Sequence, residues 1–236
     1  MAISELQLPQ GVSTQEFPSA PLLAEALAER VVGQLHEAIE SRGVATLVVS
    51  GGKSPIALFQ QLVRQPLDWS KVVITLADER WVPIEHVDSN EALLRRYLLI
   101  GAVAKAKFIG LYRSAESQEK AALAADEALA ELPAIDVLVL GMGDDGHTAS
   151  LFPNSPNLAE ALDPQGTRRC WPMLAPTVPH QRLSMSRALL ASARHPLLSI
   201  SGQGKLDTLR TAARGDEATM PVRAFLQSPL EIYWCP

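Results

Sequence analysis

Apolar residues recur at Leu23, Leu27, Val31, Leu35 and Ile39, one at every fourth position, with mostly polar residues or alanine between them. That spacing lines one face of a helix over residues 21–42, and Gly43 can take the left-handed conformation that ends it. The pattern then shortens. Thr46 to Val49, Val72 to Ala77 and Ile135 to Gly141 are compact apolar runs rich in β-branched residues, as expected of strands buried on both faces. Arg182–Met185, Leu197–Ser201 and Leu230–Trp234 add three further strands.

Helical signals fall between these runs. Ser54 and Pro55 read as cap and first helical position of a helix reaching about Arg64. Asp88 and Glu91 have capping-box spacing, with Asp in place of the usual Ser or Thr, and predict a helix through about Tyr97. Further helices are expected over Ser117–Glu131, from about Thr148, over Arg187–Ala193 and over Lys205–Ala213, with an irregular proline-rich stretch from Pro153 to Pro179. Strands alternating with helices predict an α/β fold whose mainly parallel sheet is covered on both faces.

Composition narrows the picture. A chain of 236 residues, 47% of them hydrophobic, can bury a full core and fits one α/β domain better than two small ones. No repeat, low-complexity tract or linker divides it. The net charge of −5, with no basic run longer than Arg95-Arg96 or Arg168-Arg169, argues against nucleic acid or an anionic membrane as the main partner. An anionic small molecule must then be held by local positive groups. Cys170 and Cys235 have neither metal-ligand spacing nor a disulfide framework, and read as buried small hydrophobes in a reducing compartment. With no signal segment and no membrane-spanning apolar run, the cytoplasm is the expected location.

Three strand ends carry the chemistry. Gly141 to Phe152 follow a buried strand with a glycine-rich turn, the carboxylates Asp144 and Asp145, and His147. Gly141, Gly143 and Gly146 suit a tight turn, and Asp144 or Asp145 is expected to cap the next helix. Neither statement accounts for His147, an imidazole at a strand end beside carboxylates, where open α/β sheets place their ligands. Ser50-Gly51-Gly52-Lys53-Ser54-Pro55 joins a strand to a helix, so backbone N–H groups there can face a phosphate. The segment lacks both the GxxxxGKS and GxGxxG spacings, and no nucleotide is implied. Asp78-Glu79-Arg80 ends another strand. It reads either as a solvated turn or as a site in which Arg80 offers its fork of donors to an anion or sugar. In a parallel sheet, three such ends lie on one edge and can converge on one pocket.

Taken together, Ser50-Gly51-Gly52, Asp78 to Pro83, Ser89-Asn90 and Gly141 to Pro153 resemble, in order, the motifs of the 6-phosphogluconolactonase family. The resemblance spans nearly the whole chain, residues 1–236, as one such domain. It implies a Rossmann-like, three-layer α/β/α fold of the kind shared with glucosamine-6-phosphate deaminase and ribose-5-phosphate isomerase. It also implies a carboxylic ester hydrolase that converts 6-phospho-D-glucono-1,5-lactone to 6-phosphogluconate in the pentose phosphate pathway, without metal or cofactor. On that resemblance His147 is the general base, Arg80 a cation at the catalytic centre, and Arg182 and Lys205 the downstream phosphate-binding cations. The last two matches rest on the shorter motifs Arg-Leu-Ser-Met-Ser and Ser-Gly-Gln-Gly-Lys. Asp145 either orients the imidazole or is a turn residue. Ser50, Gly51, Gly52, Lys53, Asp78, Asn90 and Gly143 complete the expected substrate site, and Lys53 departs from many relatives, leaving its contact with phosphate open.

The chemistry suits these residues. A lactone is an activated ester, so a base that deprotonates a positioned water, together with a stabilised oxyanion, is enough. No GxSxG elbow is present to supply a serine nucleophile, and Ser150 reads as a structural hydroxyl. The competing readings are an aldose–ketose deaminase or isomerase of the same fold, whose motifs differ after Asp-Gly-His and Asp-Glu, and a non-catalytic sugar-phosphate-binding regulator, for which the chain has no spare output module. The assembly is expected to be a monomer or small homo-oligomer.

Overall fold

The computed structural model describes residues 3–227 and 229–236. Its first elements are strand β1 (Val12–Glu16), helix α1 (Ala20–Arg42), strand β2 (Ala45–Val49) and helix α2 (Ile56–Leu62). β3 (Val72–Leu76), β4 (Asp78–Arg80), α3 (Asn90–Tyr97), β5 (Lys107–Ile109), α4 (Gln118–Leu129) and β6 (Val137–Leu140) follow. The chain continues through α5 (Leu158–Ala161), β7 (Cys170–Leu174), β8 (Gln181–Met185), α6 (Arg187–Leu190), β9 (His195–Ser201), α7 (Gln203–Arg214) and β10 (Leu230–Cys235).

Seven strands form one sheet in the order β1-β10-β9-β6-β2-β3-β5, and every neighbouring pair is parallel. Central strands such as β2, β3 and β6 are buried at every residue, which is why their sequences run apolar without alternation. α1 buries the predicted stripe of Leu23, Leu27, Val31 and Leu35 over the sheet and against α2. It ends as the glycine implied, with Gly43 at φ 78° donating its N–H to the Ile39 carbonyl. One apolar core extends from Ile3 to Cys235, and both cysteines are buried free thiols within it.

The order of strands explains where a site forms. The chain steps outward from β2 through β3 to β5 on one side, and from β6 through β9 to β10 on the other. Connections leave the carboxyl ends of β2 and β6 in opposite directions and open a crevice between them, the place where doubly wound sheets bind ligands. The Gly51-Gly52 turn and the His147 loop begin at those two ends.

Several local expectations are corrected. Asp78–Arg80 is itself a strand, leaving the main sheet to pair antiparallel with β8 in a second sheet of order β4-β8-β7. β7 lies inside the stretch expected to be irregular, its Pro172 accommodated on an edge strand that pairs on one side only. No helix starts at Thr148. Ala149 has φ 48°, the Thr148 hydroxyl donates to the Gly141 carbonyl, and Thr148 bridges Leu151, so the backbone is turned before a helical ladder can begin. Neither Asp144 nor Asp145 therefore caps one. α3 is capped by Ser89, whose hydroxyl accepts the Ala92 N–H at 3.1 Å, and not by Asp88. Pro55, one residue beyond the expected Ser54, occupies the cap position of α2.

Candidate active site

The crevice is a cleft of about 270 Å³. Ser50, Gly51 and Gly52 line it from the end of β2, Asp78 and Arg80 from β4, and Asn90 from the start of α3. Gly141, His147 and Thr148 enter from the loop after β6, Arg182 from β8 and Lys205 from the first turn of α7. The three strand ends singled out in the sequence thus meet in one place. Lys53 and Gly143 do not line the cleft, and Asp145 reaches it only through His147.

The histidine loop is held tightly. Gly143 donates its N–H to the His147 carbonyl at 2.8 Å, and Gly146 donates to the Gly143 carbonyl at 3.1 Å. A Cβ on Gly143 would lie 2.1 Å from Cε1 and Nδ1 of His147, so only glycine allows the imidazole to fold back over this turn. Asp145 Oδ1 accepts the backbone N–H of His147 at 3.1 Å and lies 2.5 Å from its Nδ1. The one carboxylate thus makes both the turn bond and the contact to the imidazole. Partial burial works against the Asp145 charge, but the hydrogen bond and attraction of His147 outweigh it and hold the carboxyl below its ordinary range. In the tautomer that donates Nδ1–H to Asp145, the lone pair lies on Nε2. Phe152 packs on the ring at a centroid distance of 4.2 Å.

Positive charge is concentrated opposite. Arg80 and Arg182 are directly paired across the β4–β8 ladder, an arrangement that repulsion disfavours. Burial lowers the pKa of Arg182, and the charge of Arg80 lowers it further. Among the described residues neither guanidinium forms an ion pair with a carboxylate. Arg182 donates Nε–H to the Pro179 carbonyl and lies over the Phe152 ring, and Arg80 donates Nη1–H to the Asp88 carbonyl. Arg80 Nε and the Ser50 hydroxyl are buried in the cleft wall without a partner. A bound anion would relieve the repulsion. Lys205, expected as a phosphate holder, lines the cleft and pairs with Asp144 at 2.7 Å.

The remaining polar residues fix the frame. The Ser150 hydroxyl donates to Asp78 Oδ2 at 2.6 Å, which gives this buried serine a defined structural task. The Asn90 carboxamide donates to the Asp78 carbonyl and accepts the Gly52 N–H at 3.2 Å, so that N–H is already engaged. Gly51 is the close-approach glycine of the turn, since a Cβ there would sit 2.0 Å from Asn90 Cγ. Sequence reasoning missed Glu79, buried on the far side of β4. Strand alternation through Asp78-Glu79-Arg80 is the signal that separates it from its cleft-facing neighbours. Among the described residues no group of three or more His, Cys, Asp or Glu is placed to hold a metal ion, and no helix is long and apolar enough to cross a membrane.

Comparison with known proteins agrees with the motifs. The family profile described as Glucosamine-6-phosphate isomerases/6-phosphogluconolactonase matches residues 18–234. A 6-phosphogluconolactonase of Pseudomonas aeruginosa is 61% identical over 238 aligned positions covering 100% of both chains. One of Pseudomonas putida is 60% identical, covering 100% of this chain and 98% of its own. The crystal structure of a 6-phosphogluconolactonase from Shewanella baltica superposes with a TM-score of 0.93 at 39% identity, covering 97% of this chain and all (100%) of that one. A monomeric glucosamine-6-phosphate deaminase shares the fold, with a TM-score of 0.79 at 18% identity. The chain therefore belongs to the glucosamine-6-phosphate isomerase/6-phosphogluconolactonase family, on its lactonase branch.

Proposed function

We propose that the cleft hydrolyses 6-phospho-D-glucono-1,5-lactone to 6-phospho-D-gluconate, the lactone-opening step of the oxidative pentose phosphate pathway, with His147 as general base. The observation that carries the reading is an imidazole oriented by Asp145 in a cleft that also presents Arg80, Arg182 and Lys205. Relatives about 60% identical over the full chain bear the lactonase name, which supports this substrate over the other activity of the family.

In this mechanism Nε2 of neutral His147 takes a proton from a water as the water oxygen bonds to the lactone carbonyl carbon. The carbonyl oxygen becomes an oxyanion, and the guanidinium of Arg80, which lines the cleft, stabilises it. The tetrahedral intermediate then collapses and the bond from carbon to ring oxygen breaks. The imidazolium returns its proton to that ring oxygen, which leaves as the sugar hydroxyl. One histidine thus serves both half-steps. Arg182 and Lys205 hold the phosphate, with the Ser50 hydroxyl as an additional donor. Asp78, steadied by Ser150, accepts from a sugar hydroxyl. Two free, buried thiols support the cytoplasm as the compartment.

The test follows acid release from freshly generated 6-phosphogluconolactone against its spontaneous opening. Acceleration proportional to protein concentration is the expected result, and a rate equal to the spontaneous one overturns the reading.

A further inference from the structure

Glu79 has no part in the mechanism above, yet its side chain is fully buried between β4 and the start of α3. Its carboxylate accepts four hydrogen bonds. Oε1 receives the backbone N–H groups of Arg80 and Asn90, each at 2.7 Å. Oε2 receives the Glu91 N–H at 2.7 Å and the Ser89 hydroxyl at 3.3 Å. Ser89 caps α3 at the Ala92 N–H, while Glu79 takes the Asn90 and Glu91 N–H groups of the same first turn, so its carboxylate is both a second cap and a link from α3 back to β4. Taking a carboxylate out of water costs several kcal/mol before its hydrogen bonds are counted. What the charge adds is a bridge between two elements that both supply cleft residues.

The bridge extends further. Arg80, fixed at its backbone N–H by Glu79, reaches across to the Asp88 carbonyl with Nη1. Asn90, fixed likewise, ties the Asp78 carbonyl to the Gly52 N–H. β4, the first turn of α3 and the Gly51-Gly52 turn are therefore joined through one carboxylate.

We propose that Glu79 is a positioning residue, whose buried carboxylate sets Arg80 and Asn90 in register with each other and so holds the Arg80 guanidinium where the reacting lactone needs it. The inference rests on the reading of Arg80 as a substrate contact. Asp78 and Arg80 flank Glu79 on its own strand, Arg182 acts on it from β8, and Asp88 and Glu91 stand at the α3 end. Burial, reinforced by Asp78, pushes the Glu79 carboxyl up to about 7 against the pull of its N–H donors.

The experiment is a double-mutant cycle of Glu79→Gln and Arg80→Ala, read as kcat/KM for 6-phosphogluconolactone with melting temperatures alongside. Misplacement of a site group by about 1 Å can cost about 100-fold, so Glu79→Gln alone is expected to lose about 10- to 100-fold while remaining folded. In the Arg80→Ala background the same change is expected to cost less than about threefold, because its target is gone. Glu79→Asp, which keeps the charge, is expected to recover part of the loss. A folded Glu79→Gln with wild-type activity, or the same fractional loss in both backgrounds, overturns the proposal. Wild-type activity in Arg80→Ala overturns it too, and identifies the site reading as the part that failed. If Glu79→Gln does not fold, Glu79→Asp, which keeps the charge on a shorter stem, is read in both backgrounds instead: a loss that shrinks in Arg80→Ala supports the proposal, and the same fractional loss in both overturns it.

Discussion

Replacing Asp145 by Asn tests the histidine's orientation at the level of single atoms. The carboxylate accepts from Nδ1 at 2.5 Å and from the His147 backbone N–H at 3.1 Å, so Asn can preserve the turn while losing the charge. Its carboxamide also offers N–H donors to Nδ1, which favours the tautomer with the proton on Nε2 and removes the lone pair that the reaction uses. A hydrogen bond to a charged group contributes roughly 1.5–3 kcal/mol. The Asp145 side chain is 41% exposed, and solvent screening reduces this to about 1–2 kcal/mol. The expected loss is therefore about 5- to 30-fold in kcat, with KM for the phosphorylated lactone little changed, since Asp145 does not line the cleft. Stopped-flow acid release corrected for spontaneous opening measures both constants, and the melting temperature reports the fold. A folded Asp145→Asn enzyme with kcat within twofold of wild type would refute the orienting role and leave Asp145 as a turn residue.

Three other outcomes follow from the same geometry. Arg182→Ala or Lys205→Ala is expected to lower kcat/KM for the phosphorylated lactone by roughly 1.5–3 kcal/mol while affecting unphosphorylated gluconolactone far less. The Lys205 loss should be the smaller because that ammonium must exchange Asp144 for phosphate, and equal losses on both lactones would remove these residues from the phosphate site. Gly143→Ala, whose Cβ would fall 2.1 Å from the imidazole, is expected to displace His147 and lose about 100-fold or more in kcat, and full activity in the purified variant would contradict the packing described. Glu79 has a folded pKa of about 7 against an ordinary 4.5, so the folded state binds its proton more tightly than the unfolded chain does. This group's contribution to stability is full below about pH 4.5 and is lost as pH rises to about 7. Urea midpoints of wild type are expected to fall relative to Glu79→Gln across that window, and a relative rise would contradict the assignment.

The parts of the fold legible in the sequence are those in which burial dictates residue type. β2, β3 and β6 are apolar at nearly every position because helices cover both faces, and α1 shows its stripe because only one face is covered. The edges were not legible. β1 reads Val-Ser-Thr-Gln-Glu and is mostly solvent-facing, β5 has three residues, and β7 contains a proline that only an edge tolerates. The second sheet escaped for a related reason. β4 is three charged residues whose strand conformation comes from pairing with β8, roughly a hundred positions later in the chain, and no local pattern reports such a partner.

For the site, the glycine-rich turns at strand ends and a histidine beside carboxylates meet in one crevice, because chain direction and sheet topology decide where such ends converge. Pairing between the groups was less visible. Spacing cannot show that Asn90 already occupies the Gly52 N–H, that Asp144 holds Lys205, or that Arg80 and Arg182 oppose each other across a ladder. Lys53, two residues past Gly51 and exposed, shows the converse: a charge adjacent to a site in sequence need not line it.

The most direct measurement of the central claim is lactone hydrolysis by His147→Ala. Loss of a general base typically costs about 10²- to 10⁴-fold, and among the described residues the cleft offers no second imidazole to replace it. With circular dichroism and melting temperature matching wild type, kcat for 6-phosphogluconolactone is expected to fall by that factor toward the spontaneous rate. Near-normal turnover by the folded variant would contradict the account.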